Sequence, residues 1–337
     1  MNILGKIASL KLTLAGMLAL ILGVLLIYME WANASAWIAL PLTVLSVNLL
    51  AALIVNPKFR RQSGLLIFHV CLLAVMLLAT FGWLANLKGR IEIMEGQRFN
   101  VGDLQVVRQG VLHPWHRLEA LDFQQGTIQV EYASDLIRGR TESQLYILGR
   151  QSTIRVGDNV PLRMDGYRFY TTSNKGYAAV LIWQGMDGKR EQGAIHFPSY
   201  PLNDWNQRNE WQTPEGENLT FELLLSEKPP SQTAWILDRA HNNANLRVYR
   251  NEASAVVLNA GDSLKLRGGQ LRFEEIRMWI GYDVFYDPML AWLFAAALVG
   301  IFGLAWHFYY RLGFARVLTL NPAISKTRQH AESSSRA

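Results

Sequence analysis

Two histidines sit inside long apolar runs, where an ionisable side chain is costly and so points to a task. His69 lies about five residues into the run Leu65–Ala85. His307 lies four residues before Arg311, at the end of the run Met289–Tyr309. At ~1.5 Å of rise per residue, both imidazoles fall roughly 6–8 Å inside the same face of an apolar layer. A neutral imidazole offers a lone pair to a metal, and two at equal depth could hold one haem iron from both sides. The plainer reading of His307 is an interfacial anchor, because Phe308, Tyr309 and Tyr310 follow it as an aromatic belt. That reading is weaker for His69, which is flanked by Phe68 and Val70. Cys71 is the one cysteine of the chain, two positions beyond His69. It points to roughly the opposite side of a helix and reads as a packing residue rather than a co-ligand.

The other histidines carry weaker signals. His113 and His116 bracket Pro114 and Trp115, a spacing that suits a metal or haem and equally a solvated turn. His196 and His241 have no partner visible in the sequence, and His330 lies in a polar tail. The segment Tyr200–Trp211, with Trp205, is rich in aromatics. It reads as a loop capping a β-core or as a docking surface for an apolar partner.

The elements that must position these residues are legible from hydropathy. Four runs, Leu12–Tyr28, Ala36–Val55, Leu65–Ala85 and Met289–Tyr309, carry no interior Asp, Glu, Lys or Arg. Each is near the ~20 residues a helix needs to cross a hydrocarbon core. The chain divides into three N-terminal spans within residues 1–86, a polar domain at 87–287, a fourth span at 288–311 and a polar tail at 312–337, expected to be disordered. Lys6, Lys11, Lys58, Arg60, Arg61, Arg311, Arg316 and Lys326 flank the spans on one side, and the connection holding Glu30 has no Lys or Arg. Positive flanks stay in the cytoplasm, so both termini are expected inside and the large domain outside a cytoplasmic membrane. The start also resembles a cleavable signal peptide, with Ala32-Asn33-Ala34-Ser35-Ala36 as its exit. Its apolar run is long for a signal core and more spans follow, which favours a retained helix. The net charge of +6 owes much to these flanks and makes no case for nucleic acid.

The polar domain alternates apolar and polar residues in short runs such as Thr127–Tyr132, Ala178–Trp183, Leu219–Leu224, Asn245–Tyr249 and Gln270–Ile276. Turn residues punctuate them, as in Met186-Asp187-Gly188 and Arg267-Gly268-Gly269. This is the pattern of half-buried strands. The expected fold is a membrane protein with four transmembrane α-helices and a large extracytoplasmic all-β domain, sandwich or barrel-like. The domain has no cysteine and the chain no C-x-x-C, which excludes thiol oxidoreductase chemistry and covalent haem attachment to this chain. The sequence contains no Walker loop, H-E-x-x-H or G-x-S-x-G.

Several local sequences occur in an order that resembles the ResB-like family, also called CcsB, of system II cytochrome c maturation. They are Ser9-Leu10-Lys11-Leu12-Thr13-Leu14 entering the first span, His69 opening the third, and Phe81-Gly82-Trp83 closing it. Gly89-Arg90-Ile91-Glu92-Ile93-Met94-Glu95-Gly96 and Glu131-Tyr132-Ala133-Ser134-Asp135-Leu136 follow. Asn159-Val160-Pro161-Leu162, Gly166-Tyr167-Arg168-Phe169-Tyr170 and Asp287-Pro288 complete the series. The chain departs from the family where Tyr28-Met29-Glu30-Trp31 replaces a Gly-Thr-x-x-Pro exit, and at Thr171, where Gln is common. Its outer domain is also shorter than is usual.

The resemblance implies a subunit that works with a CcsA-type membrane partner. Together they carry haem b across the membrane and present it to apocytochrome c for attachment at C-x-x-C-H, with thiol-reducing proteins as further partners. It implies His69 as an axial haem ligand, opposed by a histidine of the partner. That ranks above a His69–His307 pair within this chain. The tryptophan-rich haem-handling motif of such complexes is absent here, so no catalytic residue is assigned and the chain reads as incomplete as a haem lyase by itself. No metal is expected beyond haem iron. Lys58, Arg60 and Arg61 lie close to His69 in sequence, and one or more of them, Arg60 and Arg61 foremost, are candidates to meet haem propionates, the plainer role of these charges being to set topology. Two other classes remain open: a membrane-tethered β-domain scaffold or sensor without haem, and a b-type electron-transfer subunit using His69 and His307.

Overall fold

The computed structural model describes residues 3–29, 36–150, 152–201, 206–225, 233–239, 244–251 and 254–312. His241, His330, Trp205, Glu30 and the basic tail residues beyond Leu312 lie outside the described residues, as does the Arg60 side chain. The chain forms two units. One takes Met1–Asn86, Arg108–His113 and the chain from Asp287 onward, and the other takes Leu87–Val107 and Pro114–Tyr286.

The first unit is helical. Its helices are α1 (Ile3–Ile7), α2 (Leu10–Tyr28), α3 (Ala36–Val55), α4 (Pro57–Arg61) and α5 (Ser63–Ala85). A five-residue helix in the second unit, Trp115–Glu119, is α6, and Leu290–Arg311 in the first unit is α7. Helices α2, α3, α5 and α7 are long and apolar enough to cross a membrane. Ser9 starts α2 by accepting the Leu12 N–H, and Asn56 starts α4 by accepting the Lys58 N–H, with Pro57 in the first turn.

In a lipid environment, apolar burial does not distinguish one helix from another, so packing rests on small residues and polar contacts. Gly64 and Gly303 bring α5 and α7 close together. A Cβ at Gly64 would lie 2.7 Å from the His307 backbone nitrogen, and one at Gly303 would lie 2.6 Å from Ile67 Cγ2. Gly300 meets Cys71 on the same seam. Between α2 and α3, Gly16 faces Leu45 and Gly23 faces the Trp37 carbonyl. Asn48 of α3 is buried, and its amide donates to the Ile7 and Ser9 carbonyls at 2.6 and 3.2 Å. Thr13 donates to its Oδ1 at 2.7 Å.

The second unit holds three antiparallel sheets. Its strands are β1 (Leu87–Met94), β2 (Gln105–Gln109), β3 (Phe123–Tyr132), β4 (Arg138–Ile147) and β5 (Ser152–Gly157). They continue as β6 (Leu162–Met164), β7 (Tyr167–Gly185), β8 (Arg190–His196), β9 (Arg208–Gln212) and β10 (Asn218–Leu225). The last are β11 (Trp235–Leu237), β12 (Ala244–Asn251), β13 (Ser254–Leu258), β14 (Ser263–Leu266) and β15 (Gly269–Tyr286). The largest sheet runs β2-β1-β15-β7-β6, with β14 on β15 and β8 on β7. The others run β13-β12-β10-β9 and β11-β3-β4-β5. The β7–β15 ladder extends from Tyr167↔Tyr286 to Gly185↔Gly269, longer than the short runs in the sequence suggest. Two register shifts, at Phe273/Glu275 and Ile280/Tyr282, let these long strands bend.

One apolar core joins all three sheets through residues such as Phe123, Val130, Phe221, Leu246, Phe273 and Ile280. Several of its polar members bond to one another. Tyr282 Oη donates to Gln125 Oε1 at 2.7 Å and lies 2.8 Å from Ser143 Oγ, which accepts from Gln125 Nε2 at 2.7 Å. Burial raises the Tyr282 phenol far above its ordinary range. Glu95 is also buried, accepting the Ile128 N–H at 2.9 Å. Burial raises its carboxyl, opposed by the Ile128 and Met278 amides and by Arg239 and Arg277. The architecture is therefore four membrane-length helices and an all-antiparallel β-domain.

Candidate functional site

Helix α5 presents two different faces. Gly64, Ile67 and Cys71 follow a helical stripe that meets Gly303 and Gly300 of α7. His69 is two residues from Cys71, about 200° round the helix, so it looks away from α7. Its ring lies instead against Phe59 of α4, with centroids 4.5 Å apart, and edge-on to Phe68 at 5.1 Å. His69 Nδ1 is 2.8 Å from the Leu65 carbonyl oxygen one turn back. A carbonyl can only accept, so Nδ1 carries the proton and Nε2 keeps its lone pair. The ring is thereby fixed in the tautomer that a metal requires, with aromatic walls suited to a flat apolar ligand. These residues fit a haem group coordinated through Nε2.

His307 belongs to a different place. It lines a cavity of about 720 Å³ together with Lys58, Arg61, Gln62, Ser63 and Arg311. Trp306 and Tyr310 complete its apolar side. His69 does not line this cavity. The structure thus brings Arg61 and His307 together and leaves His69 on another face. Lys58 joins the cluster as well, and Arg311 is a member that the sequence marks only as a topology signal. The missing signal is the Gly64–His307 contact, which joins positions remote in the chain.

Three other histidines, His113, His116 and His196, are among the described residues. His113 is buried, with Nδ1 3.1 Å from the Ala85 carbonyl oxygen, and burial lowers its pKa while that bond opposes the shift. His116 is exposed on α6. His196, which shows no partner in the sequence, has two in the fold. Its ring stacks on Trp279 at 5.5 Å and 7°, and Nδ1 lies 3.4 Å from Glu92 Oε2. It lines a polar cavity of about 710 Å³ with Glu92, Arg90, Asp103, Asn174 and Asp283. Among the described residues no group of three His, Cys, Asp or Glu side chains is placed to hold a metal ion. Of the aromatic segment at Tyr200–Trp211, Tyr200 is buried against Tyr177, and Trp211 stands at 5.8 Å from Trp183. Both side chains pack in the β-domain.

No curated protein matches the chain. Among solved structures it is similar to one titled Cytochrome c Heme Lyase CcmF, at 14% identity and a TM-score of 0.25. That similarity covers 89% of this chain and 35% of the other, so the chain spans about a third of that protein's length. The profile of the ResB-like family matches residues 58–234, just over half of the 337 residues. The match begins at Lys58, includes His69 and α5, and runs through the first ten strands, ending just before β11. The chain belongs to the ResB-like family.

Proposed function

We propose that the chain is the ResB-like subunit of a system II cytochrome c synthase. Its family ties it to cytochrome c biogenesis. The observation that carries the finer reading is His69: an imidazole on a membrane-length helix, locked through Nδ1, with Nε2 free to ligate and aromatic rings beside it. In this reading His69 supplies one axial nitrogen to haem b in transit, and a CcsA-type partner supplies the other. Arg60 and Arg61 receive propionates on the cytoplasmic side. The β-domain stands on the extracytoplasmic side as a platform for apocytochrome c or for the partner's own site, with thiol-reducing proteins keeping the acceptor cysteines available. Haem supplies the vinyl groups that react with the two thiols of C-x-x-C-H.

What this chain contributes is binding and orientation rather than a catalytic group. The Leu65 carbonyl holds the His69 proton on Nδ1, and Phe59 and Phe68 limit water at the ring. The test is an absorption spectrum of the purified full chain with and without a co-expressed CcsA-type partner, for wild type, His69→Ala and His69→Gly. Haem bands should be present with the partner and lost in His69→Ala. Added imidazole should restore them in His69→Gly. Full haem content in His69→Ala would sink the assignment, and bands that instead require His307 would favour electron transfer.

A further inference from the structure

The cavity at the basic ends of α5 and α7 holds an uncompensated charge that ligation through His69 does not use. Lys58, Arg61 and Arg311 line it, and no Asp or Glu does. The sequence offers no local counter-ion either. No acidic residue occurs between Glu30 and Glu92 or between Asp287 and Glu332. Among the described residues these three cations make no ion pair with a carboxylate. Three cations gathered on α4 and at the end of α7 repel one another unless an anion comes from elsewhere.

The rest of the lining says which kind of anion. Gln62 makes no side-chain cap to α5, so its amide is available. The first amides of α5 and the Ser63 hydroxyl supply further donors at the same end. Arg guanidinium groups fit phosphate oxygens in a fork, and Lys serves as a point charge. On the apolar side, Trp306 lies 5.3 Å from Tyr310 and 6.1 Å from Phe302, forming an aromatic ladder that leads from the charged end along α7. Phe302 is exposed on that helix. A free inorganic anion has no use for such a ladder, whereas a lipid with a charged head and acyl chains uses both parts.

We propose that this cavity seats the phosphate of an anionic phospholipid, between Lys58, Arg61 and Arg311, with its acyl chains along Trp306 and Phe302. His69 does not line this site, and Arg61, given to a propionate in the haem reading, serves the phosphate instead here. Lipid seated here bridges α4, α5 and α7.

The test uses the full chain in nanodiscs made from equal parts of phosphatidylglycerol and phosphatidylcholine. Retained lipid is counted by native mass spectrometry, with haem content read in parallel. Wild type should retain phosphatidylglycerol in preference to phosphatidylcholine. K58Q/R311Q should weaken that preference by about fivefold for each cation removed. The charge-keeping K58R/R311K should preserve it, which separates charge loss from misfolding. Equal retention of the two lipids, or a preference unchanged in K58Q/R311Q, would overturn the proposal. So would displacement of phosphatidylglycerol by millimolar inorganic phosphate, which would make the ligand a free anion. Haem loss in K58Q/R311Q with lipid preference intact would assign the cavity to propionates instead.

Discussion

His69 and Lys175 are held in apolar surroundings by different means. His69 spends its Nδ1 donor on a helix carbonyl and leaves Nε2 open. Lys175, on β7, is buried in the β-domain and donates to Thr141 Oγ1 at 2.8 Å. Arg138, beside the same hydroxyl, pairs with Asp158 at 2.5 Å. Burial, followed by the Arg138 charge, lowers the Lys175 pKa to about 8, with Asp158 opposing the shift. Between about 8 and the ordinary 10.5, the unfolded chain binds a proton that the folded chain does not. Stability therefore rises with pH across that window, and the cost of burying the charge is present in full below it. Lys175→Met should raise the thermal midpoint of the full chain at pH 7, by an amount equivalent to ~1–4 kcal/mol. That advantage should shrink as the pH approaches 10.5. A gain that stays constant from pH 7 upward would show that packing, not charge, decides the effect. The sequence marks His69 because it interrupts an apolar run. It does not mark Lys175, which sits in the ordinary-looking stretch Ser173-Asn174-Lys175-Gly176.

At the scale of elements, the α5–α7 seam is set by glycines. A side chain at Gly64 would press on the His307 backbone at 2.7 Å and on the Gly303 carbonyl at 2.8 Å, and backbone cannot swing aside. Gly64→Leu should separate the two helices, at a cost of about 1–3 kcal/mol for overpacking. It should also lower phosphatidylglycerol retention by opening the cavity. Gly5→Ala in α1 meets nothing within 4 Å and should leave both unchanged. Thermal unfolding of the two variants in the same detergent checks this. Equal midpoints for Gly64→Leu and wild type would mean that the seam is looser than the structure has it. The spans and the alternating strands are legible in the sequence because periodicity and length are local properties. The strands at Ala178–Trp183 and Gln270–Ile276 are in place, but as parts of β7 and β15. Their extra length comes from pairing with each other across the domain, which no local window contains. The cavity at His307 is illegible for the same reason: Arg61 and Arg311 are 250 positions apart and meet only because glycines let α5 approach α7.

For the whole molecule, function depends on which side of the membrane each unit occupies, and the charge pattern gives a definite expectation. The α4 segment and the end of α7 carry Lys58, Arg61 and Arg311, and cytoplasmic flanks retain such charges. On that expectation the β-domain lies on the far side, where the haem reading places covalent attachment to an apocytochrome. Haem delivery from within needs this orientation, because His69 sits toward the same basic end of α5 at which Arg61 precedes it. Two single-cysteine variants in a Cys71→Ser background decide the matter. Met186 is 88% exposed in the β-domain, in the turn between β7 and β8. Met186→Cys should react with a membrane-impermeant maleimide in intact spheroplasts. Gln62 is exposed between α4 and α5, and Gln62→Cys should react only after the membrane is opened. The reverse labelling would put the basic ends outside and His69 near the wrong surface to receive haem from the cytoplasm. The family assignment would survive that result, but inward-to-outward delivery through His69 would not. Cytoplasmic labelling of Gln62→Cys would also set the basic cavity in the leaflet facing the cytoplasm, the side where the lipid and haem readings both need their anions to arrive.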